Sequence, residues 1–243
     1  MKQKLKRSVS NYMLLMRNVP SLVMVLFCTS VILMNLLANK EIGLNLDWIA
    51  LDCGFTLSWL SFLCMDMLTK RFGAKASIQI SLTAMCINLF VCFILFLISK
   101  LPGNWGVYYE YGQDVVNTGL NSTIGGTWYV VLGSATAFAV SAIVNALLNV
   151  LIGKTAKHNN FKAYAVRSYI STLAAQFVDN MIFALLVSHV FFGWTMLQCI
   201  TCSITGCLLE LLCEVIFSPI GYHVCKKWEH HGVGHEYIKN ITE

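Results

Sequence analysis

Charge is scarce in this sequence. Asp, Glu, Lys and Arg make up 12% of its 243 residues against 57% apolar ones, and the mean hydropathy is +0.66. An ordinary soluble domain is about a quarter charged, so the scarcity excludes a water-facing surface over most of the chain and makes lipid its natural solvent. No nucleotide-binding motif occurs, which excludes ATP hydrolysis by this chain, and no cofactor is expected. Cys199-x-x-Cys202 lacks the second pair that a zinc site needs. His230, His231 and His235 read as a solvated end rather than a ligand set, so no metal is expected. The basic start is not followed by a small-residue cleavage site, so the first apolar run reads as a retained helix rather than a signal peptide. The ten cysteines lie mostly inside apolar runs, where cysteine acts as a small hydrophobe rather than as part of a disulfide framework.

What the chain has in quantity is long apolar runs, each near the 20 residues that a helix needs to cross about 30 Å of hydrocarbon. They cover about 20–39, 48–69, 76–99, 127–152, 164–190 and 194–218. The net charge of +5 does not gather on one soluble face, as a nucleic-acid partner requires. Lys2, Lys4, Lys6, Arg7 and Arg17 precede the first run, and Lys70, Arg71 and Lys75 join the second to the third. Lys154, Lys157, Lys162 and Arg167 join the fourth to the fifth, and Lys226, Lys227 and Lys239 follow the sixth. Only Lys40 and Lys100 fall in the alternate connections. Basic residues keep to the cytoplasmic side of membrane proteins, so six spans with both termini in the cytoplasm are expected: an all-α integral membrane protein. Its expected parts are an amino-terminal tail at 1–17, a membrane domain at 18–222 and a carboxy-terminal tail at 223–243.

The two halves of the membrane domain, about 18–100 and 127–222, match each other weakly. Span one ends Asn35-Leu-Leu-Ala-Asn39 and span four ends Asn145-Ala-Leu-Leu-Asn149. Span two holds Ser58-x-Leu60-x5-Asp66 and span five holds Ser171-x-Leu173-x5-Asp179. A repeated unit of three spans must start on the opposite side of the membrane the second time, so a 3+3 inverted repeat is expected. Such repeats place a substrate site near the midplane and exchange conformations to give alternating access.

A charge at the centre of a span costs about 2.5–3.5 kcal/mol on insertion scales, so it usually faces a cavity or a partner. Asp179 in span five shares a helical face with Gln176 and Thr172, beside Asn180. Asp66 holds the corresponding place in span two, with Phe62, Trp59 and Phe55 behind it on one stripe. Glu210 and Glu214 lie one turn apart in span six. Each has a plainer reading as well. Asp66 could pair with Lys70 at the boundary, Arg167 could snorkel, and Glu214 could anchor at the interface. Asn35, Asn39, Asn145 and Asn149 could be interhelical glue, and the aromatic stripe could be packing. Asp179 is the hardest to dismiss, having no cation within two turns after it.

Carboxylates, carboxamides and aromatic rings with little basic charge suit a flat heterocycle. A carboxylate accepts two parallel N–H bonds from a guanine-like edge, and an aromatic ring stacks on its face. An anionic substrate would call for deep arginines, and Arg167 is the one candidate.

At these residues the sequence resembles the queuosine precursor transporter family, the YhhQ-like vitamin uptake transporters, over nearly all the membrane region. The resemblance rests on Asn35-Leu-Leu-Ala-Asn39-Lys40, on Asp66-Met-Leu-Thr-Lys-Arg-Phe-Gly73, on Arg167-x3-Ser171-Thr172-x3-Gln176-x2-Asp179, and on Glu210-x3-Glu214-x4-Pro219-x2-Tyr222. It implies a transporter, not an enzyme, in a bacterial cytoplasmic (inner) membrane. The implied cargo is a 7-deazaguanine: 7-cyano-7-deazaguanine, its aminomethyl counterpart, or queuine, destined for transfer RNA. The chain departs from the family at Leu57, Ser58 and Trp59, where a proline and a tyrosine are common, and at Lys70, where an acidic residue is. On this reading Asp179, with Glu210 or Asp66, holds the guanidine-like edge, while Asn39, Asn149 and Gln176 reach the carbonyl or the 7-substituent.

The connection 101–126, with Trp105, Tyr108, Tyr109 and Tyr111, is either an external lid or an aromatic belt. Partners beyond the base and the bilayer are not expected, and the sequence leaves homo-oligomer formation undecided. A rival reading is the substrate-binding subunit of an energy-coupling vitamin importer, although span one lacks the A-x-x-x-A docking face of such subunits. A second is an intramembrane enzyme using Asp66 and Asp179, although no protease-type motif surrounds either.

Overall fold

The computed structural model describes residues 2–42, 46, 48, 51–106, 114–125, 128–155 and 161–242. Among them the chain is helical, apart from connections and an isolated bridge between Glu41 and Asp52. The helices are α1 (Lys2–Asn18), α2 (Ser21–Leu37), α3 (Phe55–Phe72), α4 (Ala74–Ser99), α5 (Asp114–Gly125), α6 (Trp128–Thr155), α7 (Phe161–Phe183), α8 (Met196–His230) and α9 (His235–Thr242).

Each of the six apolar runs falls on one helix, α2, α3, α4, α6, α7 or α8. Among the described residues, four stretches are long and apolar enough to cross a membrane: Ala74–Ser99, Asp114–Gly153, Ala165–Phe191 and Met196–His230. The bent pair α1–α2 adds a fifth if it is counted as one span. Helix α3 is set apart by Asp66, Lys70 and Arg71 within its 18 residues. Large side chains such as Leu22, Phe90, Phe93, Leu212 and Ile220 point outward, as lipid contact requires and water would penalise.

Two regions expected as tails are helical. Pro20 has no N–H to continue the hydrogen-bond ladder of α1, and the chain turns by 101° between α1 and α2. Helix α1 packs on α9. The C-terminal segment is tied down by Arg71 Nε donating to Val233 O at 2.7 Å and by Phe72 packing on Trp228 and Tyr237. Glycine is required at 234, where φ is +75° and a Cβ would strike the Phe72 ring.

Span two, expected from residue 48, becomes helical only at Phe55. Asp52 Oδ1 accepts from Gly54 N at 2.7 Å and makes a turn that an apolar run conceals. Helix α7 passes through a π-helical turn, Ala184–Ser188, before its last turn His189–Phe191. Thr195 and Gln198 form a capping box that starts α8, satisfying two donors at that helix end. In the bundle α7 lies between α6 and α8, and α3 packs on α2, α4, α6 and α8. That puts α3, α7 and α8 around the polar interior.

Candidate functional site

Two groups of buried polar residues stand out, one near each end of α3. The first lines a cavity between the C-terminal end of α2, the N-terminal end of α3, α7 and α8. Its walls are Asn35, Asp52, Ser58, Ser134, Asp179, Asn180 and Glu210, with Phe55 and Phe183. These positions lie away from Lys70 and Arg71, which mark the other end of α3. The space is narrow, a cavity of about 30 Å³, so an aromatic base enters only if the walls part.

Hydrogen bonds orient these walls. Ser141 donates to Asp179 Oδ1 at 2.7 Å, Ser58 donates to Glu210 Oε1, and Asn180 Nδ2 reaches Glu210 Oε2 at 3.4 Å. Asn35 Oδ1 accepts from Ser134, while its Nδ2 returns to Val31 O at 2.9 Å. Asp52 lies in the turn ahead of α3. Burial pushes its carboxyl up to about 6, against the opposing pull of the Gly54 N–H. Two turns of different helices thus offer the cavity carboxyl and carboxamide groups, with no Arg or Lys among the lining residues.

The second group closes on Asp66, which is fully buried. Asn145 Nδ2 and Asn149 Nδ2 donate to its Oδ1 at 3.0 and 2.7 Å. Thr172 donates to its Oδ2 at 3.0 Å, and Ser168 also reaches that oxygen. Ser168 contacts Glu214 Oε1 as well. Asp66 is therefore held by an interior network, not by a surface ion pair, and Lys70 lies over the Tyr222 ring.

The remaining expected site residues scatter. Gln176 is fully buried, and both of its amide atoms are without a partner among the described residues. Asn39 turns its Nδ2 back to Leu36 O and Asn35 O and lines a second small cavity with Glu41, Asp52 and Trp194. Trp59 stacks on Phe217 with ring centroids 4.5 Å apart, and Phe62 lies in the apolar core beside Phe27 and Leu68; neither lines the cavity that holds Asp179. Arg167 buries Nε and Nη2 without a partner among the described residues. Of the lid candidates, Tyr108, Tyr109 and Tyr111 lie outside the described residues. Trp105 is tied to α5 through Asn121 Oδ1 at 2.9 Å.

Reading the sequence missed Asp52, Ser134, Ser141 and Ser168. A serine costs little inside a span and gives no warning of its role. Asp52 sits in a run that looked like helix.

No curated protein and no solved structure matches the chain. A family model does match, over residues 52–224, which takes in Asp52, Glu210, Glu214 and, apart from α2, the helices of the polar interior. The chain belongs to the family whose description is "Putative vitamin uptake transporter".

Proposed function

We propose that this membrane protein imports 7-deazaguanine precursors of queuosine by alternating access, as six spans in a 3+3 inverted repeat with both termini in the cytoplasm of a bacterial cell. The observation that carries the reading is the cavity wall, where Asp179, Glu210 and Asp52 stand with Asn35, Asn180 and the rings of Phe55 and Phe183. A guanine-like edge presents adjacent N–H donors, which a carboxylate accepts in parallel; a carboxamide meets the ring carbonyl, and the phenyl faces cover the ring. A phosphate or other anion would meet like charge instead. Membership of the uptake-transporter family supports transport over catalysis.

The narrowness of the cavity and the closure of the Asp66 group fit a carrier in which one end is sealed while the other is nearly shut. Distribution of the basic residues supports an extracytoplasmic position for the cavity.

The test is rescue of queuosine-modified transfer RNA in a bacterium lacking both synthesis and uptake of the precursors. Each of 7-cyano-7-deazaguanine, its aminomethyl counterpart and queuine is supplied separately. Modification should reappear with at least one of them; failure with all three would remove this substrate class.

A further inference from the structure

The network around Asp66 cannot be satisfied by neutral donors alone. Ser168 Oγ is within hydrogen-bonding distance of both Asp66 Oδ2 and Glu214 Oε1. A hydroxyl donates one hydrogen, and an ionised carboxylate only accepts. Ser168 therefore serves one carboxyl as donor and must accept from the other, which has to carry a proton. Ser168 is thus the shared link between the two carboxyl groups, one on α3 and one on α8. Glu214 Oε2, on a fully buried side chain, has no hydrogen-bond partner among the described residues. Asn145 Oδ1 and Asn149 Oδ1, equally buried beside Asp66, also have no hydrogen-bond partner among the described residues.

We propose that Asp66, Ser168 and Glu214 form a proton-binding site, separate from the substrate cavity, and that one proton carried there accompanies each molecule imported. Binding of the proton stands on the hydrogen-bond count alone; its coupling to import rests on the transport reading above. Two like charges joined through one hydroxyl in a buried site cannot both persist, so the pair holds one proton when sealed and releases it when the cytoplasmic end opens. Glu210 stands one helical turn before Glu214 and lines the outer cavity, which gives the proton an entry from the opposite side.

Charged neighbours surround the pair on several elements. Arg167 precedes Ser168 on α7, Lys70 follows Asp66 by one turn on α3, and Glu210 precedes Glu214 on α8. Helix α2 has no charged residue, and α4 has only Lys75, which is exposed. From α6 the amides of Asn145 and Asn149 face Asp66, and Cys225 of α8 lies near Lys70 and Arg167.

The experiment uses the full chain in liposomes with labelled queuine as probe. Wild-type protein should exchange the base across the membrane without a gradient. With acid outside it should also concentrate the base, by up to about tenfold per pH unit for one proton. Glu214→Gln should keep the exchange and lose the concentration. Concentration by the variant equal to wild type, or wild-type uptake indifferent to the gradient, would overturn the proposal.

Absence of exchange by wild-type protein would sink the substrate reading instead. The proton site is then judged by infrared spectroscopy without substrate. A protonated-carboxyl band at neutral pH should vanish in Glu214→Gln and shift in Ser168→Ala, which leaves both carboxyl groups in place. An unchanged band in both variants would overturn the site itself.

Discussion

Asn149 donates its Nδ2 to Asp66 Oδ1 at 2.7 Å, so an amide of α6 holds a carboxyl group of α3 across the two halves of the chain. The corresponding pair in the other direction is not made. Asn39 bonds carbonyls of its own helix end, and Asp179 takes its hydrogen bond from Ser141. Under the inverted-repeat reading, the chain is therefore sealed at the Asp66 end, and the opposite state would carry Asn39 or Asn35 on Asp179 with Asn149 released.

Loss of the Asn149 amide should loosen the sealed end. Asn149→Ala leaves a buried carboxyl short of a donor, at a cost of about 1–3 kcal/mol. Melting in detergent should fall, and more of the protein should open towards the cytoplasm. A cysteine placed by Ser171→Cys in a chain stripped of its own cysteines should then react faster with an impermeant maleimide applied from the cytoplasmic side. Equal labelling rates with and without Asn149→Ala would show that this contact does not seal the end.

Asp179 and Ser141 should separate by magnitude. Asp179→Asn keeps the shape of the group but replaces half of its acceptors by a donor pair, and uptake of the base should disappear while the protein stays in the membrane. Ser141→Ala removes only the hydroxyl that orients Asp179, so a net loss of about 1 kcal/mol is expected, or roughly a fivefold weaker affinity. Uptake unaffected by Asp179→Asn would take that residue out of the site.

Asp52 yields a prediction about stability and pH. Its folded-state value of about 6 lies above the ordinary 3.8, so folding favours the protonated form. The sealed cost of ionising it is absent below about pH 4, grows as pH rises, and is complete above about pH 6, at no more than about 3 kcal/mol. Asp52→Asn retains an oxygen for the Gly54 N–H and removes that cost. The variant should melt higher than wild type at pH 7, with the difference gone at pH 4. A difference independent of pH would mean that the carboxyl is ionised without penalty.

How far these groups could be read from the sequence follows from what each costs in lipid. A hydrocarbon layer demands about twenty apolar residues in a row, so α4, α6, α7 and α8 show plainly. The same demand says nothing about α1 and α9, which are held by packing on each other. Asp66, Asp179 and Glu210 were found because a buried charge needs a reason, and Ser58 because the halves repeat it. Sharing a helical face was a poorer guide. Phe55, Trp59, Phe62 and Asp66 lie on one stripe of α3, yet Phe55 meets the cavity, Trp59 meets Phe217 and Phe62 meets the core. The neighbours of a helix change along its length as other helices cross it, and one chain's periodicity carries no record of where they cross.

Gly206 gives the sharpest test of the cavity wall. It lies on α8, and a Cβ at this position would sit 2.8 Å from Asn180 Nδ2 and 3.5 Å from Asn180 Cγ, with Leu51 Cδ1 the next neighbour at 3.9 Å. The atoms in the way are the end of a side chain rather than backbone, so Gly206→Ala can be accommodated by rotating the Asn180 amide, and the helix itself gains from the exchange of glycine for alanine. Folding should therefore survive. The rotation breaks the long contact of Asn180 with Glu210 Oε2 and moves an amide that borders the substrate space. Gly206→Ala is expected to melt within a few degrees of wild type while its half-saturating concentration of base rises several-fold, and Asn180→Ala should weaken uptake similarly. Combining the two should add nothing, because the alanine at 206 acts only through Asn180. Additive losses in the double variant would mean that Gly206 affects transport by another route, such as the helix contact between α7 and α8.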